Sequence, residues 1–269
     1  MIEFCNVTRR YGSKVAVRGL NLLVRPGEVF ALLGRNGAGK TTSIKMLVGL
    51  LRPDEGSIRV CGHDVVDRVR DAVGCLGYIP DSVFLYEKLT GREFLEFAAS
   101  LRGLSRRESE ERILRESQRF QLAEFLDTLT ETYSHGMKQR LVFASALLHD
   151  PRVLVIDEPM VGLDPPSVRM VKDLLRALAA SGVAVFLSTH ILDIAEQIAD
   201  RIGIVDRGEL RYLGTLAELQ AELSLPHSSL EQMFLELTES NGRPARIEQW
   251  RTLGSEPASE RKSEGISGA

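Results

Sequence analysis

At 269 residues the chain has room for one large domain or one domain with an appendage, and 34 Lys and Arg against 37 Asp and Glu leave a formal charge of -3. That balance excludes a global basic field for gathering nucleic acid or anionic lipid. Cys5, Cys61 and Cys75 are an odd number without C-x-x-C spacing, which argues against a disulfide framework and a zinc site and points to reduced cytosol.

The start MIEFCNVTRR lacks the basic end, apolar block and small-residue cleavage site of a secretory signal, so the mature chain is expected to begin at Met1. From Ile2 to Val29 apolar and polar residues alternate around turn signals at Tyr11-Gly12 and Pro26-Gly27, which predicts short antiparallel strands forming an N-terminal β layer. Val29 to Leu33 is a continuous apolar run, and GRNGAGKTT (Gly34 to Thr42) separates it from SIKMLVGL, where Ile44, Leu47, Val48 and Leu51 fall at helical intervals. A strand, a glycine loop and a helix result. The loop fits G-x-x-x-x-G-K-[ST]: backbone N–H groups around Gly34, Asn36, Gly37, Gly39 and Thr42 converge on nucleotide phosphates, Lys40 reaches the β and γ phosphates, and Thr41 holds Mg²⁺. The positive end of the helix acts on the same anion.

Beyond this loop, SIRV lies between the turns RPDEG and CGHD and reads as another short strand. From about Thr90 to Gln139 helical patterns take over, with Phe94, Leu95, Phe97 and Ala98 near one face and Ile113 and Leu114 embedded in charge. This predicts a helical subdomain inserted in an α/β core. Its charge run, Ser105 to Arg119, reads as a solvated helix face. Thr132 to Leu141 (TYSHGMKQRL) then opens an amphipathic helix with Met137, Leu141, Ala144, Ser145 and Leu148 on one side, placing Ser134 and Gly136 at its start. A hydroxyl and bare N–H groups there form either a second phosphate site or an ordinary helix cap.

Val153 to Ile156 and Val183 to Leu187 read as strands covered on both faces. The first runs into Asp157-Glu158-Pro159 at the strand edge where ligands bind in parallel α/β sheets. Alternation along the strand lets Asp157 face a hydrated Mg²⁺ while Glu158 addresses the attacking water; the plainer alternative is a strand end and a helix cap. The longest stretch free of charged residues, Ala177 to Leu192, is short and polar-interrupted for a membrane span. Ile191, Ile194, Ala195 and Ile198 mark one more helix face, and RIGIVDRGELRYLGT a hairpin turning at Asp206 to Glu209. From Asn241 onward apolar residues thin out and disorder is expected.

These motifs, in this order and over roughly residues 2 to 225, resemble the ATP-binding subunit of an ABC transporter. GRNGAGKTT is similar to its Walker A loop, YSHGMKQR to its signature, VLVIDEP to Walker B, VGLDP to the D-loop, and STH ending at His190 to the switch-histidine segment. The resemblance implies a P-loop (RecA-like) core at about 1–225 with the helical subdomain at about 90–139, followed by a C-terminal extension at 226–269. It implies ATP and Mg²⁺ as cofactors, a separate membrane permease and a second cassette, identical or paired, as partners, and no nucleic acid. It places the subunit in the cytoplasm, peripheral on the inner face of the membrane. By the same resemblance Ser134, His135 and Gly136 touch the partner's nucleotide, and Asp164 joins the two sites. His190 contacts the γ phosphate and orients Glu158, and Tyr11 stacks on adenine.

Two departures stand out. His135 replaces the second signature glycine, a variant similar to those of exporter subunits, and Asp81 stands in GYIPD where most members carry Gln. Aspartate is shorter and lacks the amide donor, so the implied metal contact at Asp81 would run through water. Val83 to Tyr86 are candidates for the groove that receives the permease, with a core cluster as the alternative. The rival readings are a soluble ABC ATPase of DNA repair or translation, which usually carries a coiled coil, zinc insertion or second cassette, and a P-loop kinase, which leaves the YSHGMKQR segment unexplained.

Overall fold

A computed structural model describes residues 1–160, 163–226 and 228–239. The first strands, β1 (Ile2–Tyr11) and β2 (Lys14–Val24), form a hairpin whose turn lies at Gly12. β3 (Val29–Leu33) is wholly buried, and α1 (Lys40–Leu47) follows the glycine loop. Next come β4 (Glu55–Val60), β5 (His63–Asp64), α2 (Val69–Gly74) and β6 (Leu76–Ile79). The helical region holds α3 (Gly91–Leu101), α4 (Arg106–Arg119) and α5 (His135–Leu147). The chain ends in β7 (Val153–Asp157), α6 (Pro165–Ala180), β8 (Ala184–Thr189), α7 (Leu192–Ile198), β9 (Arg201–Asp206), β10 (Glu209–Gly214), α8 (Leu216–Glu222) and α9 (Leu230–Glu239).

Two sheets result. An antiparallel layer has the order β2-β1-β4-β5, and a six-stranded sheet has the order β10-β9-β3-β8-β7-β6 with only β10 antiparallel to its neighbour. The apolar run of β3 fills both faces of the second sheet: Phe30 and Leu32 pack toward α1 and the antiparallel layer, Ala31 and Leu33 toward α7 and α9. Phe186 of β8 joins the layers, its ring 5.6 Å from Phe30 and 6.4 Å from Phe4. On the other side Leu154 and Ile156 of β7 meet α5 and α6 residues such as Leu141 and Leu175. Helix starts follow local chemistry, since Thr90, Ser105 and Thr215 each form a reciprocal capping box with the Glu three residues on.

The structure departs from expectation in several places. β6 was not anticipated, because GCLGYIP offers four strand residues between glycine and proline, too few for a period to register. α1 stops at Leu47, so Leu51 lies beyond it in a turn that begins at Gly49 with φ +77°. α5 is not amphipathic: Val142, Phe143, Ala146 and Leu147 are buried along with Leu141 and Ala144, since the helix passes between β6 and the other helices. On the helical faces of α3 and α4, Leu95 and Ile113 are buried whereas Phe97 and Leu114 are exposed. The tail from Asn241 lies outside the described residues. Leu230, Met233 and Phe234 of α9, residues assigned to the C-terminal extension, pack with Ala195 of α7 and Leu33 of β3. Among the described residues no helix is long and apolar enough to cross a membrane.

Gly77 sets how closely α5 approaches β6. A Cβ there would lie 2.5 Å from the Ala146 carbonyl oxygen and 3.1 Å from both Leu154 and Pro151, so the backbone itself must yield. Gly77→Ala is expected to destabilise the fold by about 1–3 kcal/mol, the cost of overpacking. A lower urea midpoint with unchanged m reads this out; an unchanged midpoint would mean that α5 shifts freely.

A candidate nucleotide site at the edge of the parallel sheet

The C-terminal ends of β3, β6, β7 and β8 bring one cleft together. It encloses about 270 Å³ and is lined by Tyr11, Asn36, Gly37, Gly39, Lys40, Thr41, Thr42, Asp81 and Glu158, with Lys14, Ala16 and Arg35 added. Most residues assigned to the nucleotide thus meet in space although they span about 150 positions. Arg35 fills a variable position of the glycine loop, whereas Lys14 and Ala16 carry no motif and only the closing of the first hairpin over the loop could have revealed them. Gly39 has φ +112°, and a Cβ on it would meet the Ala16 carbonyl oxygen at 2.5 Å. The tight glycine loop therefore fits under β2 only without a side chain, and it aims the first N–H groups of α1 into the cleft.

Lys40 is buried between charges. Its Nζ donates to the Gly34 carbonyl at 2.6 Å and lies 3.4 Å from Glu158 Oε1. Glu158 follows β7 with φ +51°, an uncommon conformation for a residue with a side chain and a usual mark of a functional turn. Its Oε2 accepts the backbone N–H of His190 at 3.2 Å and faces His190 Nδ1 at 2.9 Å. Lys40, Glu158 and His190 thus form one contiguous chain across β3, β7 and β8. The alternative of Glu158 as a helix cap is not what the backbone does, since α6 is capped by Asp164, whose Oδ1 accepts Ser167 N–H at 3.0 Å.

Asp157 is buried, 1% exposed, and accepts the Ser188 hydroxyl through Oδ1; its Oδ2 has no hydrogen-bond partner. Burial raises its pKa, opposed by hydrogen bonds from Ser188 and Thr41 and reinforced by the charges of Asp81 and Glu158. Tyr78, pushed up to about 12 by burial and then by Asp157 and Asp81, senses the same concentration of negative charge. Asp81 Oδ1 accepts the N–H of Ser82 at 2.7 Å, a local turn at the rim. Ser188 opens the STH segment, but its bond to Asp157 joins two strands and has no local sequence signal.

Other assigned residues lie elsewhere. Ser134 caps α5, accepting the Met137 N–H at 3.3 Å, and Ser134 and His135 are exposed with Gly136 half-buried, none of them lining the cleft. Gln139, one turn on and unmarked by the sequence reading, donates from Nε2 to the Pro159 carbonyl at 2.8 Å in a buried contact. The signature helix is thereby tied to the segment after Glu158. Val161 and Gly162 of VGLDP lie outside the described residues. At the opposite rim Tyr11 is about half exposed, with the Arg9 guanidinium 5.2 Å from its ring centre.

A parallel sheet with a phosphate loop after β3, paired carboxylates ending β7 and a helical insertion defines a P-loop ATPase cassette. The chain belongs to the ABC transporter family, which matches residues 17–161. It is 36% identical over 241 residues to the linearmycin resistance ATP-binding protein LnrL of Bacillus subtilis, 87% of this chain and 78% of the relative. It is 40% identical over 207 residues to the Nod factor export ATP-binding protein I of Burkholderia orbicola, 77% of this chain and 68% of the relative. Among solved structures it resembles an ATP-binding subunit of an ABC transporter with TM-score 0.83 and 34% identity, covering 88% of this chain and 99% of that one. The dimeric cassette MJ0796 matches with TM-score 0.74 and 25% identity over 80% of this chain and 99% of that one. The chain is an ATP-binding, ATP-hydrolysing subunit of an ABC transporter.

Proposed function

We propose that this subunit powers export through a separate membrane permease, holding two ATP molecules between paired cassettes at the inner face of the cell membrane. The observation that carries the reading is the separation of two anion-binding helix starts on one chain: α1 opens the cleft, whereas the Ser134 start of α5 lines no part of it. A second cassette supplies what each lacks. Export is favoured by the relatives named for drug resistance and Nod factor export, and no net basic charge favours a nucleic-acid role. The cassette spans about residues 1–225 with the helical subdomain at about 90–139, and α9 of the C-terminal extension packs against it.

In this reading Tyr11 stacks on adenine with the face that Arg9 leaves free, and the loop from Gly34 to Thr42 wraps the phosphates. Lys40 exchanges the Gly34 carbonyl for the β and γ phosphates. The donor set fits a hydrated Mg²⁺: Asp157 offers a buried oxygen without a partner, Thr41 a hydroxyl, and Asp81 a carboxylate at the rim. When bound, the ion neutralises phosphate charge. Glu158 takes the proton of the water that attacks the γ phosphorus, and ADP leaves with the bridging oxygen. His190 holds Glu158 Oε2 in place and contacts the γ phosphate. Ser134, His135 and Gly136 contact the nucleotide of the second cassette, and Asp164 couples the sites.

Asp81 then matters more for stimulation by the permease than for nucleotide affinity, because β6 ends at the cleft on one side and leads into Val83 to Tyr86 on the other. Phe84 is 76% exposed and stacks edge-on with Tyr86, which meets Phe97 the same way. The test compares Asp81→Ala with the parent, alone and with its permease in vesicles. The parent is expected to hydrolyse ATP faster with permease, and Asp81→Ala to bind ATP normally but lose that stimulation. A parent indifferent to any permease overturns the transport reading, and a variant that loses ATP binding but keeps stimulation overturns the coupling role.

A further inference from the structure

Strand β8 runs apolar from Ala184 to Leu187 and turns polar at Ser188, which is wholly buried. A hydroxyl enclosed in a sheet costs free energy unless it is bonded. Ser188 pairs in register with Asp157 of β7 on one side and with Leu32 of β3 on the other, so its polar neighbour across the strands is the carboxylate. It touches both acids of the pair by different groups. The hydroxyl donates to Asp157 Oδ1, and the main-chain carbonyl accepts the Glu158 N–H at 3.1 Å. Asp157 is itself buried, and its Oδ2 has no hydrogen-bond partner among the described residues. The two oxygens of one buried carboxylate are therefore unlike: Oδ1 is held and Oδ2 is not.

We propose that Ser188 is a positioning residue that presents Asp157 Oδ2 to the divalent cation of the nucleotide site. The inference rests on the reading of Asp157 as the acid that faces a hydrated Mg²⁺. Rotation about the bond to a carboxylate carbon has broad minima, so an unheld Asp157 would divide its oxygens between the site and the strand beside it. With Oδ1 occupied that rotation is checked before any ion arrives, and the cost of ordering falls on folding rather than on binding. A neutral donor does this without placing beside the site a positive charge that would repel the metal. Ser188 also keeps the two acids separable. Replacing its side chain disturbs Asp157, whereas the carbonyl that accepts the Glu158 N–H belongs to the main chain and stays.

Mn²⁺ is titrated into the full chain saturated with ADP, and its binding is followed by the loss of the free ion's paramagnetic resonance signal. Calorimetry measures ADP affinity in EDTA alongside. Ser188→Ala is expected to weaken Mn²⁺ by about 10- to 100-fold, the usual loss when a partner that orients a metal-binding group is removed. ADP affinity in EDTA should fall far less, because without metal the phosphates rest on the loop and Lys40. Ser188→Thr keeps the hydroxyl on a residue suited to a strand, and it is expected to stay close to the parent in both measurements. An equal loss of Mn²⁺ and of ADP in EDTA would make Ser188 a structural group only and overturn the proposal. Unchanged Mn²⁺ affinity in Ser188→Ala would overturn it too, and Asp157→Asn then tells where the failure lies. A loss of Mn²⁺ in Asp157→Asn would leave Asp157 facing the ion without help from Ser188; no loss would remove Asp157 from the metal as well.

Discussion

Glu158→Gln is expected to lose turnover by about 10²- to 10⁴-fold, the range typical for removing a positioned general base, while ATP binding persists. Glutamine keeps the shape that accepts the His190 N–H at 3.2 Å but cannot take a proton from water. A cassette pair that closes on ATP and cannot hydrolyse it accumulates, so light scattering with Mg-ATP should report a dimer, measured both alone and with permease present. Adding Ser134→Arg is expected to abolish that dimer and spare monomer ATP binding, because the bulky cation fills the exposed start of α5 and lies outside the cleft. A monomer in both settings, or a dimer indifferent to Ser134→Arg, would remove the composite site and restore a self-contained P-loop enzyme. Full turnover in Glu158→Gln would move the base elsewhere.

Lys40→Ala is expected to weaken ATP binding by roughly 10- to 100-fold, as follows from losing a hydrogen bond between charged partners worth about 1.5–3 kcal/mol. The rest of the loop offers backbone dipoles, whereas Lys40 brings a full charge to the centre of a cleft that also holds Asp81 and Glu158. Its removal has a second effect. Glu158 loses the cation 3.4 Å from its Oε1, so phosphate then meets a carboxylate cluster with less compensation. Nucleotide titration followed by fluorescence or calorimetry measures this, and unchanged affinity would take Lys40 out of the site. Lys40→Arg should recover less than the retained charge suggests, because a planar guanidinium cannot fill the pocket in which Nζ reaches the Gly34 carbonyl at 2.6 Å.

The elements that the sequence foretold share a property: their signal is local. The glycine loop needs only its own residues and the flanking periodicities, because N–H groups of neighbouring positions make the anion site. The buried strands β3, β7 and β8 announce themselves as continuous apolar runs because both of their faces are covered. Ser134 sits at a helix start for the same kind of reason, its side chain accepting an N–H three residues on. The carboxylate pair Asp157-Glu158 was legible as chemistry at a strand end, and the family resemblance supplied its context.

Tertiary structure decided the rest, where the deciding partner is remote in sequence. β6 has no period of its own and exists as a strand because β7 pairs with it and Gly77 admits α5. α5 looks amphipathic in isolation, yet it is buried nearly all round because β6 and the neighbouring helices close over it. The contacts of Lys40 with Glu158, of Glu158 with His190 and of Asp157 with Ser188 join residues of different elements, since Lys40 opens α1, Asp157 and Glu158 end and follow β7, and Ser188 and His190 lie at and just past the end of β8. By itself the sequence determined which chemistry the chain carries, since motif and periodicity are short-range. Which carboxylate oxygen is held by His190, which is left without a partner, and which helix start lies outside the cleft follow only from strand order and packing, because those set distances between residues that the chain separates.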